Sequence, residues 1–276
     1  MAPSTAAGWN DPGKEAAVPT RPALQARAGP AWLPDLAALG CLLTFLYVLF
    51  LYQGYTRLFR DSDAGWHLRS GEAILRTGVL PRQDPYSFSR SEAPWMNWEW
   101  LADVTSAVVH RAAGPAGVAV LFSAAVAVAV WLWFRLHWQL GTNFLLAAAL
   151  ALPLLGTLNL HWLARPHVFS WILMLWAVGW AESEPSRGRL IWFAAVAALW
   201  ANVHGSFLFA PLLAGVYAAA RLVHPLLWRW ERRPDARYYA AAAVLAALAT
   251  LVNPYGWNLH RHVLGYLADG ALLVAH

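Results

Sequence analysis

Apolar residues along this chain form long continuous runs that short polar segments separate. The first run, Leu33–Tyr55, has about 23 residues, enough to cross a hydrocarbon core of roughly 30 Å. Six later runs follow: Pro115–Phe134, Asn143–Leu160, His167–Ala181, Leu190–Val203, Phe207–Leu222 and Tyr238–Val252. Several are shorter than about 20 residues, which helix tilt or local thinning of the bilayer accommodates. The pattern therefore predicts an all-α, polytopic helical membrane protein with about seven transmembrane helices.

One long polar segment, residues 56–114, follows the first apolar run. Within it, Ala64–Thr77 has the apolar spacing of a helix that lies on the membrane surface, and Gly78 is its predicted stop. Trp98–Ala113 is a second predicted amphipathic helix, which a Gly-Pro pair separates from the next apolar run. The segment is therefore a long first outer loop that carries surface helices.

Composition supports a membrane domain for most of the chain. Hydrophobic residues make up 59% and charged residues 13% of the 276 positions, against about 25% charged in soluble domains. The 18 tryptophans suit the headgroup region of a bilayer. The single cysteine, Cys41, excludes a disulfide framework. Residues 1–31, rich in Ala, Pro and Gly, are predicted to be a disordered cytoplasmic tail, and residues 32–276 the membrane domain.

Basic residues are distributed unequally between alternate loops. With a cytoplasmic N-terminus, the inside segments hold Lys14, Arg21, Arg27, Arg135, Arg187, Arg189, Arg221, Arg229, Arg232, Arg233 and Arg237. The short outside loops hold Arg165 and Arg261, and the long first loop weighs less in the positive-inside rule. This orientation places four polar motifs on the outer face: Asp61–Asp63, Leu163–His167, Asn202–Gly205 and Asn253–Trp257. The sequence has no nucleic-acid recognition motif, so no nucleic-acid partner is expected.

The first of these motifs offers acid–base chemistry. Asp61 and Asp63 can share a divalent cation such as Mg²⁺ or Mn²⁺, or divide the roles of base and orienting group. Asp63 and His67 lie four residues apart, on one side of a helix that begins at Ala64. That spacing fits a carboxylate base held beside an imidazole. A structural alternative stays open, in which Asp63 is the N-cap of the helix.

The other three outer motifs can bind phosphate or sugar. Arg165 and His167 flank a proline at the start of an apolar run, where both can hold a phosphate at headgroup depth. His204 follows Asn202 closely and can donate to a phosphate or a sugar. Structural roles remain alternatives: a snorkelling arginine, a proline at a helix start and an interfacial histidine. The Asn253–Trp257 motif is interpreted first as a turn that ends a span.

Several motifs occur together in a fixed order. Asp-Ser-Asp-Ala-Gly-Trp-His-Leu-Arg-Ser-Gly-Glu at 61–72 precedes Leu-Pro at 80, Asp-Pro-Tyr-Ser-Phe-Ser at 84 and Trp-Glu-Trp-Leu at 98. Arg-Pro-His at 165, Asn-Val-His-Gly at 202 and Asn-Pro-Tyr-Gly-Trp at 253 come later. This order resembles that of bacterial GT-C-type membrane glycosyltransferase-like proteins, which are related to the dolichyl-phosphate-mannose–protein mannosyltransferase superfamily. The similarity extends from about residue 33 to residue 276.

The resemblance implies a polyprenyl-phosphate-linked sugar donor that enters laterally between helices, and an acceptor on the outer face of a bacterial cytoplasmic membrane. An acidic residue of the first outer loop is the base in that family, and this role carries over onto Asp61 or Asp63, with Asp63 favoured. Attack on the anomeric carbon proceeds with inversion. The implied substrate-binding residues, of which Arg165, His167 and His204 stabilise the leaving phosphate, are His67, Arg69, Glu99, Arg165, His167, Asn202 and His204. Some members of the family bind a divalent cation, which Asp61 and Asp63 would hold here.

The resemblance leaves other functions open. Such enzymes commonly continue into further spans and a C-terminal outer domain, so this chain is expected to lack the C-terminal part. A non-catalytic membrane subunit that binds lipid-linked saccharide or organises envelope assembly is the first alternative. A small-solute transporter is the second, and it is disfavoured because the charged groups cluster on one face rather than near the bilayer midplane.

Overall fold

The computed structural model describes residues 35–51, 53–90, 93–227 and 235–268. The predicted tail, residues 1–31, and the start of the first predicted span lie outside these described residues. The described part is all-helical, with 78% helix and no strand, which confirms the predicted all-α class. The nine α-helices of the described part are α1 Leu36–Phe50, α2 Asp63–Thr77, α3 Trp100–Gln139, α4 Phe144–Leu158, α5 His167–Ala181, α6 Arg187–Val203, α7 Phe209–Leu227, α8 Ala236–Ala249 and α9 Trp257–Ala268. Short 3₁₀ turns occupy Gly54–Phe59, Asn159–His161 and Gly205–Leu208.

Helix α2 follows its sequence signals closely. It begins at Asp63, one residue earlier than predicted, and Gly78 ends it with φ 69°, the left-handed conformation that favours glycine. Ser62 is in the N-cap position without a side-chain hydrogen bond, while Asp61 Oδ1 accepts the backbone N–H of Asp63 at 3.0 Å. Asp63 therefore lies in the first turn, and its interpretation as the N-cap is wrong.

Helix α3 consists of two helical segments that meet at a break. Gly114 has φ 62° and ψ −161°, outside the helical region, and Pro115 follows it. This is the boundary that the Gly-Pro pair predicts between a surface helix and an apolar run. The first segment packs so closely on α2 that a Cβ at Gly71 would collide with the backbone carbonyl of Asp103. Contact between these two helices thus depends on a glycine.

The remaining helices follow the apolar runs, with one addition. Helix α5 matches its run at both ends, whereas α4, α6, α7 and α8 differ from theirs by a few residues. Helix α1 ends at Phe50, earlier than predicted, and a 3₁₀ turn follows. The motif at 253 is a turn, as interpreted, in which Asn253 Oδ1 accepts the N–H of Tyr255 at 2.8 Å. Helix α9, which follows this turn, has no counterpart among the predicted elements.

Small side chains allow the C-terminal helices to pack closely. Ala214 of α7 and both Ala242 and Ala246 of α8 are fully buried where these helices meet. Larger buried side chains fill the space toward α6, including Trp200 and Tyr239. A second core cluster, from Leu58 and from residues of α1, α3 and α5, supports the other half of the protein. The two clusters hold the loops at one end of the helices in place.

Polar side chains pair with one another at both ends of the helical bundle. At one end, Asp35 at the start of α1 pairs with Arg135 near the end of α3, with 3.1 Å between Oδ2 and Nη1. At the opposite end lie the 53–63 and 158–167 segments, the His204 region and the 250–257 turn, which are joined by contacts among their side chains. The four motifs that the charge pattern places on one face thus lie at one end of the bundle.

Two described helices are long and apolar enough to cross a membrane by length and composition: Trp100–Gln139 and the helical segment Gly205–Leu227. Shorter apolar helices, among them α1, α5 and α8, are only 14 or 15 residues long. Many large apolar side chains remain exposed on the helices, such as Leu43 at 58% and Ile191 at 70%. These features indicate association with a membrane.

Candidate functional site

Arg165 joins the two aspartates that precede and begin α2. Its Nη1 lies 2.8 Å from Asp61 Oδ2, and its Nη2 lies 2.7 Å from Asp63 Oδ2. Burial works against ionisation of Asp61, but the N–H of Asp63 and the guanidinium of Arg165 outweigh it and hold the pKa of Asp61 below its ordinary value. Asp61 is therefore a carboxylate, and a single guanidinium is held between two acidic side chains.

Glu99 lies at the centre of a second, more deeply buried group. Its Oε2 is 3.5 Å from His67 Nε2, and its Oε1 is 3.2 Å from His204 Nε2. His67 Nδ1 is in turn 2.8 Å from Oδ1 of Asp103, which is fully buried. His204 Nδ1 accepts the N–H of Ser206 at 3.2 Å, which leaves the proton of neutral His204 on Nε2, the nitrogen that faces Glu99. Each oxygen of Glu99 thus lies within 3.5 Å of an imidazole nitrogen.

Burial and neighbouring charges determine the protonation of Glu99 and His204 near neutral pH. Burial raises the pKa of Glu99 to about 7, and nearby Asp103 adds to the effect, while His67 and Arg165 oppose it. Burial also lowers the pKa of His204 to about 3, and the positive charges around it act in the same direction. His204 is therefore neutral, and Glu99 exchanges a proton in the pH range where biological catalysts operate.

A cavity of about 540 Å³ opens beside Glu99, Arg165 and His204. We call it the amphipathic cavity, because one part of its wall is polar and the rest is apolar. The apolar part comes from the Gly205–Leu208 turn and from α7 and α9: Leu208, Phe209, Leu212, Val263, Tyr266 and Leu267. Trp66 and Trp98 also line it. The shape and chemistry suit a molecule with a charged head and a hydrocarbon tail.

A second cavity, of about 360 Å³, lies between α2 and α3. Asp61 and His67 line it, together with Ser106 and His110 of α3. Asp61 of this cavity is paired with Arg165 of the amphipathic cavity, so both cavities border the same cluster of charges.

Six of the predicted site residues pair with one another, and the other three have different partners. Those in the cluster are Asp61, Asp63, His67, Glu99, Arg165 and His204. Arg69 is exposed and pairs with Glu72 at 3.4 Å. His167 donates from Nε2 to the carbonyl of His161 at 2.8 Å, and Asn202 donates to the carbonyl of Val252 at 2.8 Å. The Arg69 pair lies within α2, whereas the contacts of His167 and Asn202 join neighbouring segments of the chain.

Asp103 is a member of the cluster that the sequence analysis did not single out. It lies four residues after Glu99, so both carboxyl groups can face the same partner across a helical turn. An acidic pair at that spacing, next to the apolar positions of a surface helix, is the sequence feature that could have identified Asp103. No such feature identifies the residues of α9 that line the amphipathic cavity.

A divalent cation does not fit between Asp61 and Asp63 as the structure has them. The guanidinium of Arg165 already contacts one oxygen of each carboxylate. Among the described residues, no group of three or more His, Cys, Asp or Glu side chains has the arrangement of a metal site.

The arrangement of residues carries the functional argument for this chain. Comparison with known protein families, with curated proteins and with solved structures finds no match.

Proposed function

We propose that this chain is a multi-pass glycosyltransferase of a bacterial cytoplasmic membrane, which transfers a sugar from a polyprenyl-phosphate-linked donor to an acceptor at its outer end. The observation that carries the proposal is the amphipathic cavity, with Glu99, Arg165 and His204 in one part of its wall and apolar side chains in the rest. The resemblance of the loop motifs to GT-C-type proteins points to the same reaction.

Seven spans fit the bundle: α1, the part of α3 after Gly114, and α4 to α8. The exposed apolar side chains and the placement of the polar cluster at one end support this arrangement. A 15-residue helix is about 22 Å long, so the shorter helices need thinning of a core that is roughly 30 Å thick. The N-terminus is then cytoplasmic.

Labelling of introduced cysteines tests this topology. In a Cys41→Ala background, we expect a membrane-impermeant maleimide to label the Ser89→Cys variant in intact spheroplasts, because this exposed residue lies in the outer loop. The Glu184→Cys variant, between α5 and α6, is expected to react only after permeabilisation. Labelling of both variants from the same side would contradict the arrangement.

Binding of the donor follows from the division of the amphipathic cavity. The hydrocarbon chain lies along the apolar side chains of α7 and α9, and the phosphate lies at Arg165. A guanidinium has five N–H groups, and the pairs with Asp61 and Asp63 use two of them, so others remain for a phosphate. The two aspartates hold the guanidinium in a fixed orientation and so prepare it for the phosphate that leaves.

Glu99 is the base in this proposal. It accepts the proton of the acceptor hydroxyl as the oxygen forms a bond to the anomeric carbon from the side opposite the phosphate. The bond between that carbon and the phosphate oxygen breaks, and the electron pair stays on the lipid phosphate next to Arg165. The imidazoles of His67 and His204 lie beside the two Glu99 oxygens, whereas Asp63, the base that the sequence favours, is paired with Arg165.

The pH dependence of turnover follows from the raised pKa of Glu99, which is about 7 in the folded protein. Only the ionised carboxylate accepts a proton, so we expect kcat/KM to rise with pH and to reach half its maximum near pH 7. The measurement is kcat/KM for sugar transfer between about pH 5.5 and 8.5. A profile that is flat over this range would exclude Glu99 as the titrating base.

A further inference from the structure

A third cavity, of about 350 Å³, lies at the same end of the bundle. We call it the basic cavity. Its residues come from the loop between α2 and α3, from the turn before α9 and from α9 itself: Arg82, Trp95, Met96, Tyr255, Asn258, Arg261 and His262. None of the assigned site residues lines it.

The charge of the basic cavity is one-sided. Arg82 and Arg261 both line it, no carboxylate does, and neither arginine forms an ion pair within the described part of the chain. Arg165, by contrast, is held between two aspartates. Two guanidinium groups with no neighbouring carboxylate attract an anion strongly. The planar arrangement of their N–H donors matches the two oxygens of a carboxylate or a phosphate.

Hydrogen bonds fix the wall of this cavity. The backbone N–H of Trp95 donates to the carbonyl of Arg82 at 2.8 Å, and the Tyr255 hydroxyl accepts the N–H of Asn97 at 3.0 Å. The indole N–H of Trp95 is buried and has no hydrogen-bond partner among the described residues. The ring of Trp95 thus gives the cavity an aromatic wall in addition to its charge.

The basic cavity adjoins the amphipathic cavity. The rings of Trp98 and His262 pack together with their centroids 4.8 Å apart. Trp98 lines the amphipathic cavity and His262 lines the basic one, so this aromatic pair forms a shared wall. Glu99, the proposed base, is the next residue after Trp98.

We propose that the basic cavity binds the acceptor, and that the acceptor is a saccharide that carries a carboxylate or a phosphate. This inference rests on the proposed transferase function and names its second substrate. Arg82 and Arg261 bind the anionic group, the ring of Trp95 packs against the apolar face of the sugar, and Asn258 and Tyr255 contact hydroxyl groups. The acceptor hydroxyl then approaches Glu99 past Trp98.

Binding of small probes to the full chain in phosphatidylcholine nanodiscs tests the inference. We expect glucose 6-phosphate and glucuronate to bind at least ~10-fold more tightly than glucose, because charge-assisted bonds to arginine are worth more than neutral ones. Arg82→Gln and Arg261→Gln are each expected to weaken binding of the anionic sugars by ~10-fold. Arg187→Gln, an exposed arginine at the opposite end, is the matched control and is expected to change nothing.

Two further binding measurements distinguish an anionic sugar from inorganic phosphate and from lipid headgroups. Inorganic phosphate that binds as tightly as glucose 6-phosphate would overturn the inference, because the sugar would then contribute nothing. Loss of glucose 6-phosphate binding in nanodiscs with phosphatidylglycerol would also overturn it and assign the arginines to lipid headgroups. Equal binding of glucose and glucose 6-phosphate, or unchanged binding in both arginine variants, has the same consequence.

Binding of polyprenyl phosphate separates this inference from the transferase proposal. Both arginine variants are expected to bind it within ~2-fold of the unaltered chain, since neither residue lines the amphipathic cavity. If the unaltered chain binds glucose 6-phosphate selectively but binds no polyprenyl phosphate, the transferase proposal fails and with it the assignment of an acceptor. If it binds polyprenyl phosphate but no anionic sugar, only the acceptor inference fails.

Discussion

Replacing Glu99 with glutamine is expected to lower turnover by ~10² to 10⁴-fold, the usual contribution of a positioned base, while donor binding stays within ~3-fold. The amide has the shape of the carboxyl group and can still contact both imidazoles, but it accepts no proton from the acceptor. The measurement is sugar release from radiolabelled polyprenyl-phosphate-sugars in membranes that contain the chain, alongside equilibrium binding of the same donors.

Two variants serve as controls for this result. Glu184→Gln makes the same chemical change at an exposed site between α5 and α6, and it should leave turnover unchanged. Asp63→Asn is expected to weaken turnover less than Glu99→Gln, because Asp63 acts through Arg165. Complete loss in Asp63→Asn with activity retained in Glu99→Gln would assign the base to Asp63, as the sequence favours. Donor binding without turnover in the unaltered chain would favour a binding subunit.

The helices that local signals define are the ones that the sequence predicts well. Helix α2 has an apolar face and a glycine stop, and α5 is a continuous apolar run after a proline, so both match within a residue. Helix α9 differs because Asn, His and Arg interrupt its apolar positions. It is held by Leu259 and Val263, which pack into the core. Packing against residues that are distant in the chain cannot be recognised from the local sequence pattern.

The sequence predicts which site residues lie at the same end of the bundle, but not which of their side chains contact one another. Alternation of charged loops is enough to place Asp61, Arg165 and His204 at one end of the bundle. It does not show that Arg165 contacts both aspartates, because Asp63 and Arg165 are separated by 101 residues whose folding decides which side chains meet. The importance of Glu99 depends on its burial between two imidazoles, which is a property of the folded protein and not of the Trp-Glu-Trp motif.

Gly71→Ala is expected to destabilise the protein by about 2 kcal/mol, the cost of overpacking at a tight contact. A Cβ at this position would collide with the backbone carbonyl of Asp103 and would lie 2.8 Å from Cβ of Ala107, so α2 and α3 must separate. Backbone atoms cannot move aside as a flexible side chain can. We expect a fall of roughly 4 to 8 °C in the midpoint of thermal unfolding in detergent.

Gly65→Ala is the matched control on the same helix, because a Cβ there meets no atom within 4 Å. Since alanine favours a helix over glycine by up to about 1 kcal/mol, this variant is expected to raise the midpoint slightly. The two variants are expected to change the midpoint of thermal unfolding in opposite directions. This difference distinguishes the effect of the contact between α2 and α3 from the effect of helix propensity. Separation of the helices must also lengthen the 2.8 Å contact between His67 and Asp103, so Gly71→Ala should lower turnover at temperatures where it is still folded. An equal rise in both midpoints would show that α2 does not pack on α3 through Gly71, and the cluster around Glu99 would then lose the support of His67.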